Sequence, residues 1–235
     1  MIQSDGRVRL AWGNQGCNTF AAPNPVSSHM TRHEPLRVDT DRERILFAAA
    51  RLFREYGFDK TTVRQIAEAC DLLPGSLHYR YRAKEDILVD MMRVAIEKTI
   101  RGITEATTMT NDPLQQLRAA LQAHIDVLLS GDDMTYVLLF EWRSLRGAAR
   151  KEMIRERDLY ERCWATMLDA LKEQGLIRPD VDTHLLRLIG LGAINWMATW
   201  YKQGGEYSLT EIGESLWLVI SRGILAPTHA DMRKT

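Results

Sequence analysis

Two short helical segments joined by a three-residue break constrain this chain more than any other feature in it. The first runs Thr61-Thr62-Val63-Arg64-Gln65-Ile66-Ala67-Glu68-Ala69-Cys70, the break is Asp71-Leu72-Leu73, and the second is Pro74-Gly75-Ser76-Leu77-His78-Tyr79-Arg80-Tyr81. Threonine is a good N-cap, and Val63, Ile66 and Ala67 then recur at helical spacing. Proline fits the first position of the second helix, where its missing N–H would have had no partner. Two short helices across a tight turn form a helix-turn-helix, whose second helix can enter the major groove of DNA.

Phosphate contacts position such a protein, and base-edge contacts specify its site. Thr61, Thr62 and Arg64 stand at the first turn of the leading helix, where hydroxyls and N–H groups suit a phosphate oxygen. Gly75 removes a side chain where backbone must approach the duplex closely. Ser76, His78, Tyr79 and Arg80 can point into the groove or onto its walls, and Lys84 beyond them suits a phosphate. Arg80 is the candidate for guanine, because its fork matches O6 and N7. Leu77 and Tyr81 alternate with this set and read as core, whereas Arg82 reads as a solvated or phosphate-side charge.

Bulk properties exclude several classes. With 235 residues and 45% hydrophobic content the chain can bury a core as one large domain or two small ones. Its 31 basic residues balance 31 acidic ones, so any field that attracts DNA must be local. Three cysteines (Cys17, Cys70, Cys163) are far apart and match no metal pattern, which reads as small packing residues in a reducing, cytoplasmic setting. No apolar run approaches the roughly 18 residues of a membrane span. The six histidines are scattered and match no His-Glu-x-x-His zinc motif, no nucleophile elbow, phosphate loop or dinucleotide fingerprint is present, and no catalytic residue, cofactor or metal is expected. His124, on an otherwise apolar helix, reads as a hydrogen-bonded core histidine or a pocket residue.

The pattern after residue 40 is all-α. Helices are expected over residues 41–57, 83–107, 112–130, 133–145, 147–174, 182–203 and 208–225, besides the two short ones. Residues 1–38 lack periodicity and read as a disordered arm, with Met30 as a possible start and with Arg32 and Arg37 able to reach a minor groove. The organisation is then residues 1–38 as arm, 39–99 as helix-turn-helix domain with its motif at 62–81, and 100–228 as a second helical domain.

From Arg42 to about Glu97 the chain resembles the DNA-binding domain of the TetR family of bacterial transcriptional regulators. The resemblance rests on Ile45, Ala48, Ala49, Leu52, Phe53, Tyr56-Gly57, Thr61-Thr62-Val63-Arg64, Ile66-Ala67, Gly75-Ser76-Leu77, Tyr79, Tyr81 and Lys84-Glu85. It departs at Asp71-Leu72-Leu73, where the usual hydroxyl cap is lost at position 73, and at His78 and Arg80, where tyrosine and histidine are common. The resemblance favours a phosphate contact for Tyr79 and implies a ligand-responsive regulator, most simply a repressor released by a small molecule.

One recognition helix this short makes few contacts, and a symmetric dimer supplies two of them about one DNA turn (~34 Å) apart. In the family the last two helices pair with those of a second copy, which here puts Trp196, Trp200, Leu216, Trp217 and Ile220 at a homodimer interface unless the tryptophans fill the monomer's own core. The family's central helices enclose an effector pocket, for which Met91, Leu121, Phe140, Trp142, Arg143, Trp164, Met167, Ile189, Asn195 and Trp196 are candidates. The end of the penultimate helix, from Trp196 to Gly205, is similar to members that respond to acyl-CoA thioesters. Two other readings remain: an activator or architectural DNA binder without an effector, or a helical ligand- or protein-binding module that has lost DNA binding through Leu72-Leu73.

Overall fold

The computed structural model describes residues 40–226; the expected arm, with Met30, Arg32 and Arg37, and Cys17 lie outside the described residues. Among those described are nine α-helices, no strand, and one antiparallel bridge between Ile177 and Leu225.

Helix α1 (Thr40–Tyr56) buries Ile45, Leu46, Ala49, Ala50 and Phe53 along one face. Gly57 ends it at φ 83, and its N–H returns to the Phe53 carbonyl at 2.9 Å. Thr62 caps α2 (Val63–Ala69) in a reciprocal box: its hydroxyl accepts from the Gln65 N–H, and the Gln65 side chain accepts from the Thr62 N–H at 2.8 Å. Asp71 then turns the chain at φ 54, a left-handed conformation that aspartate tolerates better than most side chains. Helix α3 (Pro74–Arg80) starts at Leu73, which gives no side-chain cap, and Leu77 with the following Tyr81 pins it to the core.

Helix α4 (Lys84–Thr108) is the spine of the molecule. Next come α5 (Pro113–Leu128), α6 (Asp133–Glu141) and a 3-10 turn at Trp142–Ser144. The chain continues through α7 (Gly147–Glu173), α8 (Thr183–Trp200) and α9 (Leu209–Ile224). Carboxylate caps at Asp112, Asp132 and Asp182 and a Ser208–Glu211 box open four of these five helices. The helix expected over 133–145 becomes α6 plus the 3-10 turn, with Leu145 extended and fully buried. The helix expected to reach residue 203 stops at Trp200, because Tyr201 turns to an extended conformation at ψ 137.

Two apolar cores form. One gathers α1 to α3 and the first half of α4, together with Met134 and Val137 of α6, Leu145 ahead of α7 and Met153 within it. The other holds Ile103 of α4 with α5, α7, α8 and α9. The boundary expected between residues 99 and 100 therefore falls inside α4, a helix that both cores share.

Candidate DNA-binding surface and effector cavity

The outward face of α3 carries Ser76, His78, Tyr79 and Arg80, all exposed, with Tyr79 at 95%. A large phenol that reaches so fully into solvent adds nothing to its own core; it is available to an outside partner. A Cβ at Gly75 would meet no atom of the chain within 4 Å, so the fold itself does not require glycine there. Thr62 and Arg64, at the start of α2, are exposed as well, with Arg64 Nε held by Glu68 at 2.8 Å across one turn.

Two expected phosphate ligands face inward instead. Thr61 is 2% exposed, and its hydroxyl donates to the carbonyls of Gly57 (2.9 Å) and Leu52 (3.3 Å). Lys84 folds back under the loop between α1 and α2, where Nζ donates to the carbonyls of Phe58 (2.5 Å) and Thr61 (2.8 Å) and lies 4.2 Å from the Phe58 ring centre. The ammonium gathers carbonyls of the connection between two helices, which fixes α4 to the loop that leads into the positioning helix.

Behind α3, Asp90 accepts from Arg42 (2.6 and 2.9 Å) and from the Tyr81 hydroxyl (2.6 Å), tying α1 and the end of α3 to α4. Burial raises the Asp90 pKa, but the hydrogen bonds from Arg42 and Tyr81 outweigh it and hold the carboxyl below its usual range. Burial and the bond to Asp90 push the Tyr81 phenol up, so Tyr81 stays a neutral donor. One turn on, Arg93 bonds Glu152 and approaches Glu156 at 3.8 Å, so the ionic chain continues from α4 to α7.

A cavity of about 360 Å³ opens between α4, α5, α6, α7 and α8. Leu128, Leu138, Leu139, Met153 and Leu191 make its apolar wall, and Trp142 stands at its side with Arg150 and Arg157. The cavity also takes in Ile96 and Thr99 of α4 and the buried His124 of α5.

A model of the bacterial regulatory proteins of the tetR family matches residues 45–91, and a model of the tetracyclin repressor-like C-terminal domain matches residues 110–224. The chain belongs to the TetR family. It is accordingly a DNA-binding transcriptional regulator and not an enzyme, with the all-α, helix-turn-helix architecture of that family. The HTH-type transcriptional repressor KstR2 of Mycobacterium tuberculosis is 26% identical over 190 residues, which cover 80% of this chain and 94% of that protein. The TetR family regulator PfmR from Thermus thermophilus is 29% identical with a TM-score of 0.68, over 76% of this chain and 97% of its own. AibR, solved with isovaleryl coenzyme A and operator DNA, shares the fold at a TM-score of 0.68 and 24% identity, over 80% of this chain and 100% of its own.

Within this TetR-family fold the expected pocket residues scatter. Trp142 and Asn195 line the cavity. Met91 does not, because it is fully buried beneath the DNA-binding helices. Leu121, Trp164 and Met167 pack in the second core, and Phe140 stacks on Tyr136 at 4.6 Å. Arg143 lies exposed, 5.2 Å from the Trp142 ring centre, and Ile189 and Trp196 point away on the outer face of α8. Arg150, Arg157 and Tyr160 were missed, since nothing in a helix as long and charged as α7 marks which arginines face inward.

The tryptophans at the end of α8 do not fill the monomer's core: Trp196 is 68% exposed, and Trp200 is exposed as well. With Leu185, Leu188, Ile189, Leu218 and Val219 they form an apolar face on α8 and α9. Leu216, Trp217 and Ile220 are half-buried against the second core, so they border this face rather than project from it. No helix among the described residues is long and apolar enough to cross a membrane.

Proposed function

We propose that this regulator is a cytoplasmic homodimer that represses its target and leaves its operator when a small lipid-like or aromatic metabolite, acyl-CoA thioesters among them, fills the cavity. The observation that carries this reading is that one helix serves both sites. Helix α4 starts directly behind α3 and lines the cavity with Ile96 and Thr99, about 18 Å further along its axis. An occupant that shifts α4 moves the recognition helix with it, and in a dimer that changes the spacing of two such helices. The exposed apolar face of α8 and α9 supplies the self-complementary surface a dimer needs. Residues 39–99 then act as the DNA-binding unit and 100–228 as the effector and dimerisation unit, divided within α4.

Fluorescence anisotropy on the gene's own upstream DNA tests the reading against scrambled duplex at several salt concentrations. The expected result is tight, salt-sensitive and sequence-selective binding that falls when a lipid-like ligand is added. Equal binding to both duplexes, or operator binding that no such ligand changes, would overturn it.

A further inference from the structure

The polar groups of the cavity sort by depth. At the mouth, between α7 and α8, stand Arg150, Arg157 and Asn195. Arg157 is bonded to Glu161 at 3.2 Å, and Glu161 also holds Arg187. Arg150 has no carboxylate partner among the described residues; its guanidinium lies 5.2 Å from the centre of the Trp142 ring. A planar cation braced against an aromatic face, with its donors uncommitted to an acid, suits an anion.

At the inner end the chemistry is different. His124 is only 3% exposed, and the Tyr160 hydroxyl lies 3.2 Å from its Nε2 and 3.4 Å from its Nδ1. One hydroxyl can serve one of these nitrogens, so the other keeps its hydrogen-bonding capacity inside an apolar wall. The neighbouring hydroxyls are committed elsewhere: Thr99 donates to the Ala95 carbonyl at 2.9 Å and Thr135 to Asp132 at 3.4 Å. An occupant with a purely apolar tip strands that second nitrogen, whereas one with an oxygen at the tip satisfies it.

We infer that the cavity takes an amphipathic anion with a second oxygen at its buried end. A hydroxyl or carbonyl oxygen meets His124 and Tyr160, an apolar body lies along Leu128, Leu139 and Leu191, and the anionic head meets Arg150 beside Trp142. The head is a carboxylate or the phosphates of a coenzyme A thioester. This inference rests on the effector reading of the cavity, and it narrows that reading from any lipid-like metabolite to an oxygenated one.

Calorimetric titration of the full chain tests it with ω-hydroxy fatty acids from octanoic to dodecanoic, each against its unsubstituted parent, and with the coenzyme A thioesters of both. In the series that binds, the ω-hydroxy member is expected to bind about tenfold more tightly, the worth of one hydrogen bond made to an otherwise stranded group. Tyr160→Phe and His124→Leu together should erase that preference, chiefly by tightening the parent, because no polar group is then left for an apolar tip to strand. Arg150→Gln should weaken every anionic ligand well beyond its effect on the matching diols. Equal affinity within each pair, no binding in either series, a preference that survives in the double variant, or acids indifferent to Arg150→Gln would each overturn the inference. Operator release is read separately by anisotropy. An ω-hydroxy ligand that binds without releasing DNA upholds the ligand class and removes the effector reading. Release by other molecules, with no preference for the oxygenated tip, does the reverse.

Discussion

The imidazole of His124 sits in the interior with Tyr160 and Trp164 around it, and burial pushes its pKa from 6.5 down to about 4. The unfolded chain therefore takes up a proton near neutrality that the folded one refuses. Its contribution is complete above pH 6.5 and is lost as pH falls toward about 4. It amounts to ~3 kcal/mol in all. Denaturant unfolding at stepped pH should show stability declining between 6.5 and about 4, and His124→Leu should flatten that slope. A wild-type profile that stays level across the window would contradict it. Lys84→Met should lower stability by about 1–3 kcal/mol, because three loop carbonyls lose a charged donor, and a melting curve reads the loss. Arg80→Ala is expected to cut operator affinity by about 1–3 kcal/mol and relax specificity at one base pair, as measured with a panel of single-substitution duplexes.

At the scale of elements, the helices were legible because apolar spacing and capping are local signals. Gly57, Asp112-Pro113 and Ser208 end or begin helices where their chemistry says they should. The role of a side chain was less legible, since it depends on which helix lies opposite. Thr61 and Lys84 have the residue types of phosphate ligands, yet backbone carbonyls of α1 and of the loop after it claim them first. Met91 and Met167 have the softness of pocket residues but face cores, and only the packing of α4, α5, α7 and α8 selects Arg150 and Tyr160. Helix α3 opens on Leu73, 76% exposed and without a side-chain cap. Leu73→Ser should stabilise the protein by about 0.5–2 kcal/mol, read as a shift in denaturation midpoint. The ionic run from Asp90 through Arg93 to Glu152 joins α4 to the helix that carries Arg150. Arg93→Gln is expected to leave ligand affinity close to wild type while weakening ligand-driven operator release by about 0.5–2 kcal/mol of coupling, measured by titrating ligand against the protein–DNA complex.

For the whole molecule, the proposed dimer makes the face of α8 and α9 the surface that brings two recognition helices to one operator. Trp196→Glu with Trp200→Glu should yield a folded monomer by sedimentation and lose most of the affinity for a two-half-site operator; dimers that persist would place the interface elsewhere. The sharing of α4 has a further consequence for how such regulators recombine. Met134, Val137, Leu145 and Met153 come from beyond residue 130, yet they belong to the core beneath the DNA-binding helices. A hybrid gene spliced at residue 99 inherits one parent's reading head and the other parent's α6, and their surfaces were never fitted to each other. Exchange of promoter specificity between two regulators of this kind is expected to succeed only when the graft carries the α6 contacts along with the head. The unit of inheritance is thus wider than the unit that touches DNA.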